Sequence, residues 1–384
     1  MAKAKKLMVQ NIEEQSTMPF LRGILTRSLQ GAGLRFDDAY ALSSQIRNHL
    51  QHKGEITSQA LRTHVLECLT EQFPDHVNNY QRHSGKPALV VLDRDEQPHP
   101  FSKNHLAMSL ELCAIPPNQT YEIAARIERD LKKSGRFQWK STEIAEIMEA
   151  DLRSNVSGEA ADRYATSLEF SRSGRPLVIL LGGTTGCGKS TLGSEIAHRL
   201  NIVRTQSTDM LREVMRLMIP SRLMPSLHCS SFNAWEALPY RAHADPEDAL
   251  VEGYLTQSHQ VSVGIEAVIQ RARRERISVI IEGVHVHPRF IASLTDVDDA
   301  VIIPMIVAVL RKKSLRGRLK GRGQQVASRR SERYLKYFDS IWTLQSFLLD
   351  ESDRFQIPMV ANDDQATAVA DIMELIAVRL LQER

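Results

Sequence analysis

Leu177-Val-Ile-Leu-Leu-Gly182 runs straight into Gly183-Thr-Thr-Gly-Cys-Gly-Lys-Ser-Thr191, and the reading of this stretch decides the fold. Five consecutive apolar residues, Leu177 to Leu181, have the form of a strand buried on both faces of a parallel sheet. The segment after them matches G-x-x-x-x-G-K-[ST], and Thr191 to Leu200 reads as a helix. Strand, loop and helix in that order make a phosphate cradle, the P-loop. Its glycines let backbone N–H groups converge on phosphate oxygens, and the helix N-terminus adds partial positive charge. Lys189 is placed to reach the β- and γ-phosphates, and the Ser190 hydroxyl to ligate Mg²⁺. Gly183, Thr184, Thr185, Gly186, Cys187, Gly188, Lys189, Ser190 and Thr191 are therefore the expected nucleotide-binding residues, with ATP and Mg²⁺ as the cofactors. Cys187 reads as a small filler within the loop, although a thiol at a helix N-terminus can be reactive.

Downstream, each β-like run ends in chemistry. Ile202 to Gln206 leads into Ser207-Thr208-Asp209, with a helix opening at Met210. An Asp at the carboxyl edge of a strand sits in the crevice where doubly wound sheets bind ligands. There Asp209 can orient or deprotonate an acceptor hydroxyl, and capping the helix is compatible with that work. Arg212, one turn on, is expected to grip an anionic acceptor. Ser278 to Ile281 ends in Glu282, a carboxylate suited to the Mg²⁺ shell. His285 is expected to touch substrate or phosphate, and His287 to flank Pro288. A His-x-His pair also suggests zinc, but no third ligand has a matching spacing.

A third apolar run, Ala300 to Leu310, precedes a basic stretch. From Arg311 to Arg333 there are ten Lys or Arg residues and one acid, Glu332. A solvated helix is the ordinary explanation of such a run. In this position it also reads as a lid whose arginines neutralise charge on a transferring phosphoryl group and exclude water. Arg318, Arg322 and Arg329 are the candidates, Arg322 and Arg329 foremost. Ile357 to Asn362 and a helix from Ala366 to Leu381 close an α/β domain.

The first half repeats. An offset of 81 residues pairs Phe20 with Phe101, Leu25 with Leu106, Ser28-Leu29 with Ser109-Leu110, Tyr40 with Tyr121, Ile46 with Ile127 and Leu50 with Leu131. Upstream it faces Leu7-Met8-Val9 with Ala88-Leu89-Val90. Each copy reads as a short strand, a turn and amphipathic helices. A third helix over 58–72, with Ser58 as its N-cap, has its counterpart near Ser141. A Gly/Ser/Arg-rich joint lies within 153–175. The expected domains are 1–80, 81–155 and 156–384.

Composition places limits on these readings. The 384 residues carry a net charge of +3, with 42% hydrophobic and 25% charged residues. No apolar run is long enough to span a bilayer. The basic start, Met-Ala-Lys-Ala-Lys-Lys, has no apolar stretch after it and does not read as a secretory signal. Four scattered cysteines, Cys68, Cys113, Cys187 and Cys229, fit a reducing cytoplasm.

Two resemblances follow from these residues. The repeat resembles the ATP-cone, a regulatory nucleotide-binding module, through Phe20-Leu21-Arg22 to Ser28-Leu29 and Phe101-Ser102-Lys103 to Ser109-Leu110. A pair of helical packing modules without ligand is the alternative, and the hairpin region of the first copy lacks the basic residue that Arg94 supplies in the second. Residues 177–290 resemble the 2-phosphoglycerate kinase family of P-loop kinases. The matching segments are the P-loop, Ser207 to Val214, Leu227-His-Cys-Ser-Ser-Phe-Asn-Ala-Trp235, Gly253…Gln257 and Ile281 to His285. Together the two resemblances imply an α/β fold, a P-loop NTPase doubly wound parallel sheet preceded by two mainly helical ATP-cone-like modules. The second implies ATP-dependent phosphoryl transfer to a small anionic phosphorylated substrate, with Ser230 and Ser231 on the acceptor side. The lid, Leu315 to Gly323, departs from the family pattern, and two repeats stand where one is expected. Related domains in plant proteins linked to phytic-acid metabolism leave the acceptor open.

Two further readings compete: an ATP-sensing switch with slow hydrolysis, and a polynucleotide- or tRNA-acting enzyme using the 311–333 segment. Aromatics make up 6% of the chain and are absent from that segment, which speaks against stacking on single strands. A homo-oligomer is an expectation that accompanies cone modules, and no membrane association is expected.

Overall fold

The protein is described from a computed structural model covering residues 7–11, 16–83, 89–93, 95–113, 115, 117–238, 245–294, 298–325 and 329–383. The chain divides into two compact units, Met1–Ala107 with Pro117–Ser157, and Met108–Pro116 with Gly158–Arg384.

In the first unit, strands β1 (Met8–Asn11), β2 (Ser16–Pro19) and β3 (Glu55–Thr57) form one sheet in the order β2-β1-β3. Strands β4 (Val90–Leu92), β5 (Pro98–Pro100) and β6 (Gln138–Lys140) form another in the order β5-β4-β6. In both, the central strand is antiparallel to the next and parallel to the third. The helices follow the same plan: α1 (Arg22–Gly31), α2 (Phe36–Leu50), α3 (Ser58–Gln72) and α4 (Val77–His83), then α5 (Lys103–Met108), α6 (Pro117–Lys133) and α7 (Ser141–Asn155). Paired positions are buried alike: Leu29 and Leu110 fully, with Leu25, Ile46 and Leu50 matched by Leu106, Ile127 and Leu131. Tyr40 and Tyr121 are exposed in both copies, each under a cation, Arg22 and Lys103.

Two local expectations change. The carbonyl of Leu7 accepts from Phe20 N–H, and that of Leu89 accepts from Phe101 N–H. Leu7 therefore matches Leu89 rather than Ala88, because the second hairpin is one residue shorter. The N-cap of α3 is Thr57, whose hydroxyl accepts from Ala60 N–H, and Ser58 is the first helical residue. Arg94 lies outside the described residues.

The second unit is an α/β layer structure. Its strands are β7 (Leu177–Gly182), β8 (Arg204–Ser207), β9 (Val279–Glu282), β10 (Val301–Ala308) and β11 (Met359–Ala361). They form one all-parallel sheet in the order β11-β10-β7-β9-β8. Its helices are α8 (Gly158–Ser173), α9 (Lys189–Arg199), α10 (Thr208–Met218), α11 (Pro246–Glu275), α12 (Pro288–Ser293), α13 (Lys312–Gln325), α14 (Arg329–Lys336), α15 (Phe338–Arg354) and α16 (Gln365–Gln382). Alternate residues of β7 enter different cores. Leu177, Ile179 and Leu181 meet Leu192 and Ile196 of α9 and Ile372 and Ile376 of α16. Val178 and Leu180 meet Val261, Ile265 and Ile269 of α11. Each fully buried aliphatic chain contributes roughly 1.5–3 kcal/mol. This double coverage explains the unbroken apolar run at Leu177 to Leu181.

From β7 the chain builds outward on one side through β8 and β9, then crosses to β10 on the other. The crevice at the carboxyl ends of the strands therefore opens beside β7. Leu181 and Ser207 are both paired with Glu282, so β7, β9 and β8 end level with one another.

Gly253 of α11 permits a close approach. A Cβ there would lie 2.3 Å from the backbone nitrogen of Trp235, in the 3-10 segment Ser231–Ala237. Gly253→Ala should lower unfolding stability by about 1–3 kcal/mol through overpacking. Gly264→Ala, on the same helix with nothing nearer than 3.6 Å, should be neutral or stabilise by up to ~1 kcal/mol. Equal denaturation midpoints for the two variants would contradict this packing.

Candidate active site

The loop after β7 bends tightly, with Gly183, Gly186 and Gly188 all at positive φ. Gly188 caps α9 in the left-handed region, and a Cβ there would fall 2.3 Å from the Asn362 side chain. Asn362, just past β11, donates to the Cys187 carbonyl at 2.7 Å and holds the loop from beneath. Leu315 and Leu319 of α13 lie against the loop at Gly186 and are themselves fully buried. Lys189 is buried, its ammonium donating to the Thr184 carbonyl at 2.7 Å and lying 3.7 Å from Cys187 Sγ. Cys187 has no exposed surface. Ser190 Oγ donates to Glu282 Oε1 at 3.0 Å, so the two expected metal-shell residues meet directly.

Asp209 lies in the first turn of α10, two residues beyond the end of β8. Its side chain is 65% exposed and its carboxylate lies 3.9 Å from Arg212 Nε, so it is open to solvent. Arg212 is placed differently from the expectation of an anion grip. Its Nη1 donates to the carbonyls of Leu227 and Cys229 at 2.8 and 3.0 Å, and its Nη2 to Glu213 at 2.7 Å. The group spends its donors on the backbone of the segment that carries Ser230 and Ser231.

His285 is also placed differently. It has no exposed surface, and both ring nitrogens are bonded. Gln257 of α11 fixes their roles. Its amide nitrogen donates to the carbonyls of Ser226 and Cys229 at 2.5 and 3.1 Å, leaving its oxygen to accept from His285 Nε2 at 3.1 Å. A neutral imidazole then has Nδ1 as acceptor, and the Thr208 hydroxyl donates to it at 2.8 Å. Burial pushes the His285 pKa down to about 4, with the charge of Asp209 opposing and those of Arg212 and Lys189 assisting. His285 therefore lies behind the crevice as a neutral link and does not line it. His287 is buried too, accepting from Arg289 N–H at 3.1 Å and stacked on Phe347, with its pKa also near 4 from burial. Among the described residues no group of three or more His, Cys, Asp or Glu side chains could hold a metal ion.

The segment 225–237 bears the acceptor-side residues. Ser231 is buried and Ser230 half-buried, with Ser230 N–H donating to Asn233 Oδ1 at 3.0 Å. Helix α14 and the residue after it dock on it: Tyr334 of α14 and Tyr337, the N-cap of α15, pack against Phe232, and Tyr337 donates to Glu236 at 3.1 Å. Arg318 of α13 approaches Gly188 and the Asp363 carbonyl. Arg322 lies in α13 and Arg329 opens α14, but both side chains are outside the described residues. Sequence reasoning gave no role to Thr208, Gln257, Asn362 or Tyr337. Thr208 and Gln257 carried a signal, lying in the Ser207 to Val214 and Gly253…Gln257 segments quoted above.

The chain is similar to proteins of known name. A 2-phosphoglycerate kinase of Methanopyrus kandleri is 35% identical over 299 residues, 78% of this chain and 90% of that protein. The enzyme of the same name from Methanothermobacter thermautotrophicus is 36% identical over 278 residues, 72% of this chain and 89% of its own. That of Thermococcus kodakarensis is 35% identical over 286 residues, 74% and 96% of the two chains. The chain belongs to the 2-phosphoglycerate kinase family. It is thus an enzyme of the small-molecule kinase class. Each of these alignments is longer than the stretch from Gly158 to Arg384, so likeness to the family reaches into the first unit. No family model matches the chain. Among the described residues no helix is long and apolar enough to cross a membrane.

The two buried histidines give the fold an acid limit. Each is held neutral with a pKa near 4, below the ordinary 6.5, so the unfolded chain binds more protons between those values. Their stabilisation is complete above pH 6.5 and is lost as pH falls through 4, by up to ~3 kcal/mol for each group. Urea unfolding of the wild type should show this decline, and His287→Asn should flatten it. A wild-type stability that stays level from pH 6.5 to 4 would contradict the assignment.

Proposed function

We propose that the protein is a Mg-ATP-dependent kinase that transfers the γ-phosphoryl group to a hydroxyl of a small phosphorylated metabolite of the 2-phosphoglycerate type. The observation that carries this reading is the Ser190–Glu282 hydrogen bond at the level strand ends, with the exposed Asp209 on the neighbouring strand end. The names of the relatives supply the acceptor class.

The chain's own groups divide the work. Backbone N–H groups of Gly183 to Thr191 bind the phosphates, and the buried Thr184 hydroxyl, unpartnered among the described residues, is a donor that a phosphate oxygen would satisfy. Lys189 exchanges the Thr184 carbonyl for the β- and γ-phosphates. Ser190 and Glu282 offer hydroxyl and carboxylate oxygens, the hard donors Mg²⁺ takes alongside phosphate and water. When bound, that ion neutralises phosphate charge. Asp209 orients the acceptor hydroxyl and takes its proton. The acceptor oxygen forms a bond to the γ-phosphorus as the bond to the β-bridging oxygen breaks, and ADP leaves. Arg318, Arg322 and Arg329 are the lid candidates for the transferring phosphoryl group. Ser230 and Ser231 serve the acceptor, while Arg212 and His285 position the segment that bears them. The N-terminal modules, 1–80 and 81–155, are assigned a regulatory, ATP-cone-like role ahead of the kinase domain 156–384.

With 2-phosphoglycerate present, Asp209→Asn should lower acceptor-dependent ADP formation by about 10²–10⁴-fold. Nucleotide affinity should stay within about twofold, since phosphate contacts are untouched. Wild-type turnover that no phosphorylated hydroxy acid stimulates would defeat the proposal.

A further inference from the structure

Charge at the acceptor side is unevenly engaged. A phosphorylated hydroxy acid brings a carboxylate and a phosphate, so its pocket needs cationic donors free to turn toward it. The segment 226–236 meets two guanidinium groups. Arg212 is 12% exposed and bonded to two backbone carbonyls and Glu213. The nearby His285 is neutral and enclosed, and His228 Nε2 is bonded to the Ile219 carbonyl at 3.0 Å.

Arg333 of α14 is in a different state. It is exposed, with its guanidinium over the Phe232 ring at 5.7 Å. Its one hydrogen bond among the described residues is a long one, 3.5 Å from Nη2 to the neutral Asn233 Oδ1. No carboxylate of the described residues forms an ion pair with it. Asn233 Oδ1 also receives Ser230 N–H, so Arg333 stands directly over the Ser230 turn. Tyr334 and Tyr337 fix the helix that delivers it, through Phe232 and Glu236.

Building on the kinase reading, we propose that Arg333 is an acceptor-binding residue, taking the carboxylate or phosphate of the acceptor over the Ser230–Asn233 turn. The long bond to Asn233 is the contact the anion displaces. A planar fork suits either oxyanion, and stacking on Phe232 holds its plane as it turns.

The test is titration calorimetry of 2-phosphoglycerate into the full chain holding a non-hydrolysable ATP analogue and Mg²⁺, with steady-state kinetics alongside. Arg333→Gln keeps an N–H donor for Asn233 but removes the charge. It should weaken 2-phosphoglycerate binding and raise its KM by about 10–100-fold, the loss expected for a charge-assisted contact. KM for ATP should move less than about threefold, and Arg333→Lys should recover part of the loss. The fall of acceptor affinity with salt should also be shallower in Arg333→Gln, which a merely structural latch would not produce. Tyr337→Phe removes the Glu236 bond without touching the charge and reports on docking alone. Unchanged acceptor binding in Arg333→Gln, or an equal rise in both KM values, overturns the assignment. Absence of 2-phosphoglycerate binding in the wild type overturns the acceptor reading and this inference with it.

Discussion

The site depends on a buried chain of hydrogen bonds from Thr208 through His285 to Gln257. One end is the residue before Asp209, and the other holds the carbonyls of Ser226 and Cys229. Each of these polar groups is enclosed, so losing one partner costs the full desolvation of the other, about 1–3 kcal/mol. Polarity runs in one direction only, because Gln257 must donate to two carbonyls and can only accept from the imidazole. The chain therefore fixes the distance between the strand end bearing Asp209 and the turn bearing Ser230. Arg212 adds a second brace from α10, to the same Cys229 carbonyl and to that of Leu227. Burial holds the histidine neutral, and a charged ring would turn Nδ1 into a donor and reverse the Thr208 bond.

Around that brace the basic segment connects two halves of the crevice. Leu315 and Leu319 seat α13 on the P-loop, while Tyr334 of α14 and Tyr337 at the start of α15 seat on Phe232 of the segment bearing Ser230. A region read from composition as a run of like charge is thus anchored by its apolar and aromatic members.

Much of the fold could be read from the sequence because it rests on local signals. The apolar run at Leu177, the glycines of the P-loop and the 81-residue offset each reflect a constraint visible in consecutive or regularly spaced residues. The candidate site was legible in placement where a carboxylate follows a strand end, at Asp209 and Glu282. It was not legible where a side chain's partner is set by tertiary packing. Arg212 and His285 have the residue types of anion ligands, and only the fold shows their donors spent on backbone carbonyls and a buried amide. Gln257 and Gly253 sit in a stretch of helix whose pattern shows no chemistry, since their work is done on a segment about twenty to thirty residues earlier. The hairpin register slipped by one for a similar reason: turn length, set by backbone geometry, broke an alignment made on side chains.

The central claim is phosphoryl transfer to an acceptor hydroxyl. It is tested most directly by phosphorus NMR of the purified protein with ATP, Mg²⁺ and 2-phosphoglycerate. The account predicts a second phosphate ester on the acceptor appearing in step with ADP. Release of inorganic phosphate in step with ADP, with the acceptor unchanged, would contradict it.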